Sequence, residues 1–223
     1  MPPATPFTLL FLAGELMLDT QVLELARAAS SIVCADSGAE HAYRLKLEID
    51  SIIGDLDSIS PKTLEYYRGR CCTILNIAEQ GHNDFEKVLL SLMNPAGTEV
   101  VVLGMTGGRL DHTLSNLSVM LRHSDLFKSI VAYDRYARHQ FLTSHHGTIS
   151  FDSPLGTTIS LTPFGAADGI TTSNLLYPLN TESLRAGMRE GLSNVTTGAP
   201  ATVTITGGAL LVSIHSATEQ NGA

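Results

Sequence analysis

The chain has 223 residues, 43% hydrophobic and 16% charged, a balance that builds a packed core and excludes a disordered protein. Its 22 acidic and 14 basic side chains leave a formal charge of −8, which argues against nucleic acid or anionic membrane as partner, since both demand a basic surface. No apolar run nears the roughly 20 residues of a membrane-spanning helix, Phe7 to Ala13 lacks a signal peptide's basic flank, and Cys34, Cys71 and Cys72 have no disulfide or metal spacing, so a cytoplasmic protein is expected.

In chain order, Phe7 to Leu12 reads as a buried strand closed by Ala13-Gly14. Val22, Leu25, Ala26 and Ala29 follow at helical spacing. Ile32 to Ala35 is a second strand ending at Asp36, residues 39–46 a helix, and Ser51 to Ile53 a third strand ending at Gly54-Asp55. Ser60-Pro61 is an N-cap with proline at the first helical position. Thr73 to Leu75 is a fourth strand, and Phe85, Val88, Leu89 and Leu92 line a helix. Glu99 to Leu103 is a fifth strand, Leu110, Leu114, Leu117 and Leu121 form the stripe of a further helix, and Ile130 to Ala132 is a sixth strand. Such alternation predicts a Rossmann-like, mostly parallel sheet with helices on its faces.

Beyond this point the composition changes. Residues 1–135 hold 17 of the acidic and 11 of the basic residues, leaving 5 and 3 for a stretch crowded with Thr, Ser and Gly. The runs 147–151, 157–163, 201–206 and 209–214 read as strands of a small antiparallel β-sandwich, the last two joined in a hairpin at Gly207-Gly208. The break falls near 134–146, and the domains are drawn as 1–138 and 139–223.

Ligands of open α/β sheets gather beyond the carboxyl ends of the strands. Asp36, Asp55, Asp57, Asp84 and Asp111 all fall at such ends. Carboxylates converging on one rim repel unless a cation neutralises them, and hard oxygen donors suit Mg²⁺ beside phosphate. An aspartate after a strand is also a common turn former, but the pair in Gly54-Asp-Leu-Asp57 favours function. Thr106-Gly-Gly-Arg109 offers amides and a guanidinium to phosphate. Lys87 shares a helix face with Asp84, where a surface ion pair is the ordinary alternative, and His112 either bonds phosphate or caps its helix. No Walker A, GxGxxG, HExxH or GxSxG occurs.

Four segments in order resemble the thiamine pyrophosphokinase (thiamin diphosphokinase) family: Cys34-Ala-Asp-Ser-Gly-Ala39, Ile53-Gly-Asp-Leu-Asp-Ser58, Asn83-Asp-Phe-Glu-Lys87 and Gly107-Gly-Arg-Leu-Asp-His112, with a later Gly191-Leu-Ser-Asn194. The resemblance implies an ATP-dependent transfer of a pyrophosphoryl group to the thiamine hydroxyl, giving thiamine diphosphate and AMP. It implies Asp55, Asp57 and Asp84 as Mg²⁺ and catalytic residues, with Arg109 and Asp111 at the phosphates. Asp36, Lys87, Thr106, Gly107, Gly108, Arg109 and His112 would line ATP. Gln80, Ser193 and Asn194 would meet thiamine, and Tyr177 is a candidate for stacking on it, since the chain has no Trp. It further implies a catalytic α/β domain, a thiamine-binding β-sandwich, and a homodimer with thiamine at the subunit interface. Ser37 stands where the family often has Gly, and Glu79 and Gly81 where it usually has aspartates. The rivals are another Mg²⁺-dependent nucleotide transferase or pyrophosphohydrolase, and a non-catalytic thiamine or nucleotide sensor.

Overall fold

In the computed structural model, residues 3, 5–16 and 20–216 are described, and they divide at Arg135/Tyr136 into two units. The first holds strands β1 (Phe7–Phe11), β2 (Ser31–Ala35), β3 (Ser51–Gly54), β4 (Thr73–Asn76), β5 (Glu99–Leu103) and β6 (Ser129–Tyr133). Between them run helices α1 (Thr20–Ala28), α2 (Ala39–Arg44), α3 (Pro61–Arg68), α4 (Asp84–Ser91) and α5 (Leu110–His123). All five pairings are parallel, in the order β4-β3-β2-β1-β5-β6. β1 is buried at every position and β5 at four of five, because a parallel strand covered on both faces needs an unbroken apolar run. The order turns back between β1 and β5, so the loops leaving these two strands flank the crevice where such sheets bind ligands.

Local chemistry explains most element ends. The Ser60 hydroxyl accepts the Thr63 amide at 3.2 Å and Pro61 opens α3, as the sequence predicts. Asn83 caps α4 by accepting the Glu86 amide at 2.9 Å, and its own amide group donates to Ser115 and Asn116 of α5. The predicted leucine stripe of α5 is not its buried face. Leu110 and Leu114 are exposed, and the helix turns Asn116, Val119, Met120 and His123 inward instead. Two polar residues are tolerated there because each is satisfied: Asn116 donates to the Met105 carbonyl at 3.1 Å, and His123 bonds Glu86 at 2.9 Å.

The second unit is antiparallel and β-rich: β7 (Ala137–Thr143), β8 (Thr148–Phe151), β9 (Thr158–Ser173), β10 (Glu182–Arg185), β11 (Gly191–Val195), β12 (Ala201–Thr204) and β13 (Gly207–His215). The 16-residue β9 organises it, pairing β11 through its first residues, β13 from Ile159 to Asp168 across a register shift, β10 from Ala166 to Ile170 and β12 through its last residues. Gly165 and Gly169, at φ 77° and 62°, bend it between its partners, and a Cβ at Gly169 would strike the Thr206 side chain. The predicted hairpin at Gly207-Gly208 is therefore absent: β12 and β13 each pair with β9, which lies between them. β7, β10 and β11 are additions to the strands legible in sequence. Leu161, Ile170, Leu184, Val203, Leu210 and Val212 form the core of this unit.

Leu9 is fully buried in the central strand of the first unit. Leu9→Ala is expected to lower unfolding free energy by about 2–5 kcal/mol, measured by urea denaturation; a loss under about 1 kcal/mol would contradict this packing.

Candidate active site

Three carboxylates from three strand ends meet on the rim of the parallel sheet. Asp36 follows β2, Asp55 follows β3 and Asp84 opens α4, and one oxygen from each lies within 4.8 Å of the others. The strand-end positions in the sequence anticipate this convergence, and the parallel register of β2, β3 and β4 creates it. Asp36 takes left-handed backbone (φ 42°) as the chain turns into residues 36–38, a conformation Asp tolerates better than most residues. Gly38 is required in that turn, since a Cβ would overlap the Phe11 carbonyl. Gly54 leaves similar room: a Cβ there would sit 2.9 Å from Asp36 Cβ and 3.1 Å from Asp84 Oδ1.

The electrostatics of the three differ. Asp36 is 3% exposed; burial first, then Asp84, pushes its pKa above the usual carboxylate range, with Asp55 adding to the rise. Its Oδ2 accepts the Ser58 amide at 3.3 Å, whereas its buried Oδ1 has no hydrogen-bond partner. At Asp55 a desolvation penalty works upward but is outweighed by Gln80, the Asp57 amide and Lys87, which hold the carboxyl low. Gln80 Nε2 donates to Asp55 Oδ2 at 3.2 Å, and the Asp57 amide donates to Oδ1 at 3.4 Å. Lys87 is buried; its Nζ donates to Asp84 Oδ1 at 3.0 Å and lies 3.9 Å from Asp55 Oδ2. The surface ion pair is thus not what Lys87 forms.

This set fits a hard divalent cation. All its donors are carboxylate oxygens, and an orphaned buried oxygen carries a desolvation cost that a metal ligand would relieve. Asp57 lies outside the trio, and its Oδ1 accepts the Ser58 hydroxyl at 2.8 Å.

The other predicted residues occupy two further places. Gly107 and Gly108, at φ 89° and 66°, follow Thr106 in the loop that leads from β5 into α5. Arg109 Nε donates to Asp111 Oδ1 at 3.1 Å in an exposed pair; that hydrogen bond draws the Asp111 pKa down, and His112 follows in the first turn of α5. Ser193, Asn194 and Tyr177 belong to the second unit. Asn194 is buried and its amide clamps backbone: Nδ2 donates to the Tyr177 carbonyl at 2.7 Å and Oδ1 accepts the Tyr177 amide at 3.0 Å. The clamp presents the exposed Tyr177 ring, next to exposed Leu176.

The loop after β1 holds no residue singled out from the sequence, yet it interlocks with the glycine loop. The Gly14 amide donates to the Gly104 carbonyl and the Glu15 amide to that of Thr106, each at 2.8 Å. The one sequence signal was Ala13-Gly14 closing the first strand.

Residues 22–132 match the family model described as thiamin pyrophosphokinase, catalytic domain, and residues 145–210 the model of its vitamin B1 binding domain. Thiamine pyrophosphokinase 1 of Oryza sativa subsp. japonica is 29% identical over 187 residues, covering 73% of this chain and 70% of its own. The protein of that name from Arabidopsis thaliana is 28% identical over the same length and coverage. Among solved structures, thiamin pyrophosphokinase from Candida albicans superposes with a TM-score of 0.83 at 18% identity, over 94% of this chain and 88% of that one. The yeast enzyme gives 0.81 at 20% identity, over 96% and 87%. At these identities the structures establish the shared fold.

A buried carboxylate whose folded-state pKa is raised destabilises the fold when ionised; the penalty is absent in acid and grows as pH rises through that pKa. Asp36→Asn is therefore expected to melt higher than wild type in chelator at pH 7, with the advantage shrinking as pH falls. Equal melting at pH 7 would show that the repulsion at Asp36 is already relieved without a cation.

Proposed function

The chain belongs to the thiamin pyrophosphokinase family, and we infer that it transfers the pyrophosphoryl group of ATP to the hydroxyl of thiamine, releasing AMP. The carboxylate trio carries this reading: it sits on the ligand-binding rim of the sheet, inside the stretch matching the family's catalytic domain.

In this reading Asp36, Asp55 and Asp84 would hold Mg²⁺, which neutralises phosphate oxygens when bound. Gln80 and the Asp57 amide orient the Asp55 carboxylate, while Lys87 fixes Asp84. Thr106, Gly107 and Gly108 would present backbone amides to the triphosphate. Arg109, held by Asp111 beside that loop, offers its guanidinium to the charge that develops as the β-phosphorus is attacked. Such a transfer asks little covalent chemistry of the protein; positioning and charge neutralisation dominate.

The thiamine end is assigned to the second unit, within the match to the vitamin B1 binding domain. Tyr177, presented by the Asn194 clamp, would stack on the cationic thiazolium or the pyrimidine, with Ser193 beside it. We further propose a homodimer in which thiamine lies between one subunit's α/β domain and its partner's β-rich domain. The exposed Leu176, Tyr177 and Leu192 near Ser193 support a covering partner. Dependence on ATP and three free cysteines support a cytoplasmic location.

Incubated with thiamine, ATP and Mg²⁺, the protein is expected to form thiamine diphosphate and AMP in equal amounts, with chelator abolishing both. Thiamine monophosphate with ADP, or pyrophosphate release without an acceptor product, would contradict the reading. The shared site makes a second prediction. Mixing inactive Asp55→Asn and Asn194→Ala subunits should recover about a quarter of wild-type activity, because half the dimers then carry one intact site. No recovery on subunit exchange would place thiamine within one subunit.

A further inference from the structure

Two neighbouring side chains of α2 reach the loops on opposite sides of β2. Toward β3, Glu40 Oε1 accepts the Ser60 amide at 2.8 Å and Oε2 accepts the Thr63 hydroxyl at 2.7 Å. It thereby pins the segment that leaves Asp55 and Asp57 and enters α3. Toward β1, His41 Nε2 bonds the Gly14 carbonyl at 2.8 Å, and its Nδ1 faces Arg44 Nη2 at 2.5 Å. The same helix follows Asp36 by three residues, so one short element touches three strand-end loops.

The state of His41 follows from its two partners. A carbonyl oxygen only accepts and a guanidinium only donates. The imidazole must therefore be neutral, with its proton on Nε2 and a bare Nδ1. Burial, chiefly, keeps it neutral by lowering its pKa, and the neighbouring Arg44 charge acts the same way against the pull of Gly14 and Glu40.

The bond to Gly14 matters because of what Gly14 touches. Its amide and that of Glu15 are tied to the carbonyls of Gly104 and Thr106. A Cβ at Gly14 would overlap both of those carbonyls, one at Gly104 would overlap the Leu12 carbonyl, and one at Gly107 would run into the Glu15 side chain. Gly14 and Gly104 thus meet the facing loop backbone to backbone, and Gly107 packs against the Glu15 side chain. A shift at residue 14 passes directly to residues 104–107.

We propose that His41 is a positioning residue for the phosphate-facing glycine loop, acting through the Gly14 carbonyl, with Glu40 bracing the Asp55 loop from the same helix. The proposal rests on the reading that Thr106 to Arg109 faces the triphosphate of ATP. His41 touches no reacting atom; it sets the height of the loop that does.

The test pairs kinetics with spectroscopy on the full-length protein. His41→Phe removes the donor and keeps the ring volume, and is expected to raise KM for Mg·ATP on the order of tenfold while KM for thiamine moves less than about twofold. His41→Gln restores an Nε2 donor and should stay within about threefold of wild type. Equal rises in both KM values, a wild-type KM in His41→Phe, or a glutamine variant no better than phenylalanine would overturn the proposal. Should the variants not fold, ¹⁵N-histidine spectra of the wild type decide: an Nε2–H tautomer with bare Nδ1 through neutral pH supports it, and an Nδ1–H tautomer or an imidazolium overturns it. A wild type that makes no thiamine diphosphate would instead sink the functional reading, while leaving the tautomer result standing.

Discussion

Three carboxylates held within 4.8 Å of one another, one of them buried, are the constraint around which the first unit is arranged. Two unit charges at 4 Å repel by ~4 kcal/mol at an effective dielectric near 20, so the cluster persists only if the scaffold enforces it or a cation relieves it. Lys87 supplies one positive charge against three negative ones, leaving a balance of −2 when all three are ionised. A divalent ion closes that balance. The parallel sheet is what enforces the geometry: β2, β3 and β4 run the same way, so the residues following them emerge on one rim.

The cost of this arrangement is distributed over its neighbours. Asp36 sits in left-handed backbone and leaves one oxygen unsatisfied. Gly38 and Gly54 must lack a side chain for the turn to close on the carboxylates. Behind the rim, buried Glu86 on α4 takes two hydrogen bonds from Arg122, at 2.6 and 2.8 Å, and one at 2.9 Å with His123. That cluster locks α4, bearer of Asp84 and Lys87, to α5, whose first turn follows the glycine loop. In the second unit Asn194 does comparable work, holding the backbone under Tyr177. The carboxylate trio is buried to half-buried, whereas Arg109 and Tyr177 are exposed and held by Asp111 and by buried Asn194.

Much of this was legible in the sequence. Apolar runs ending in Asp, Ser-Pro at a helix start and the sparse charge after residue 135 report local chemistry, and they located the parallel strands and the change of architecture. What stayed hidden depends on distant contacts. Asp36 is legible as one of the rim carboxylates, but the resemblance puts Asp57 in its place at the metal, and only the turn at residues 36–38 brings Asp36 against Asp55 and Asp84. Glu40 and His41 look like ordinary helix residues until the neighbouring loops are in place. The leucines of α5 matched helical periodicity yet lie off the buried face, because satisfied Asn116 and His123 occupy it. The hairpin at Gly207-Gly208 failed because β9 is long enough to pair both flanking strands.

The claim on which the functional reading turns is that the trio is a cation site. Titrating Mn²⁺ into the protein with ATP present, followed by electron paramagnetic resonance, tests it most directly. Saturable binding that is lost in Asp36→Asn and retained, though weakened, in Asp57→Asn is the predicted result. No saturable binding, or binding indifferent to Asp36, would contradict it.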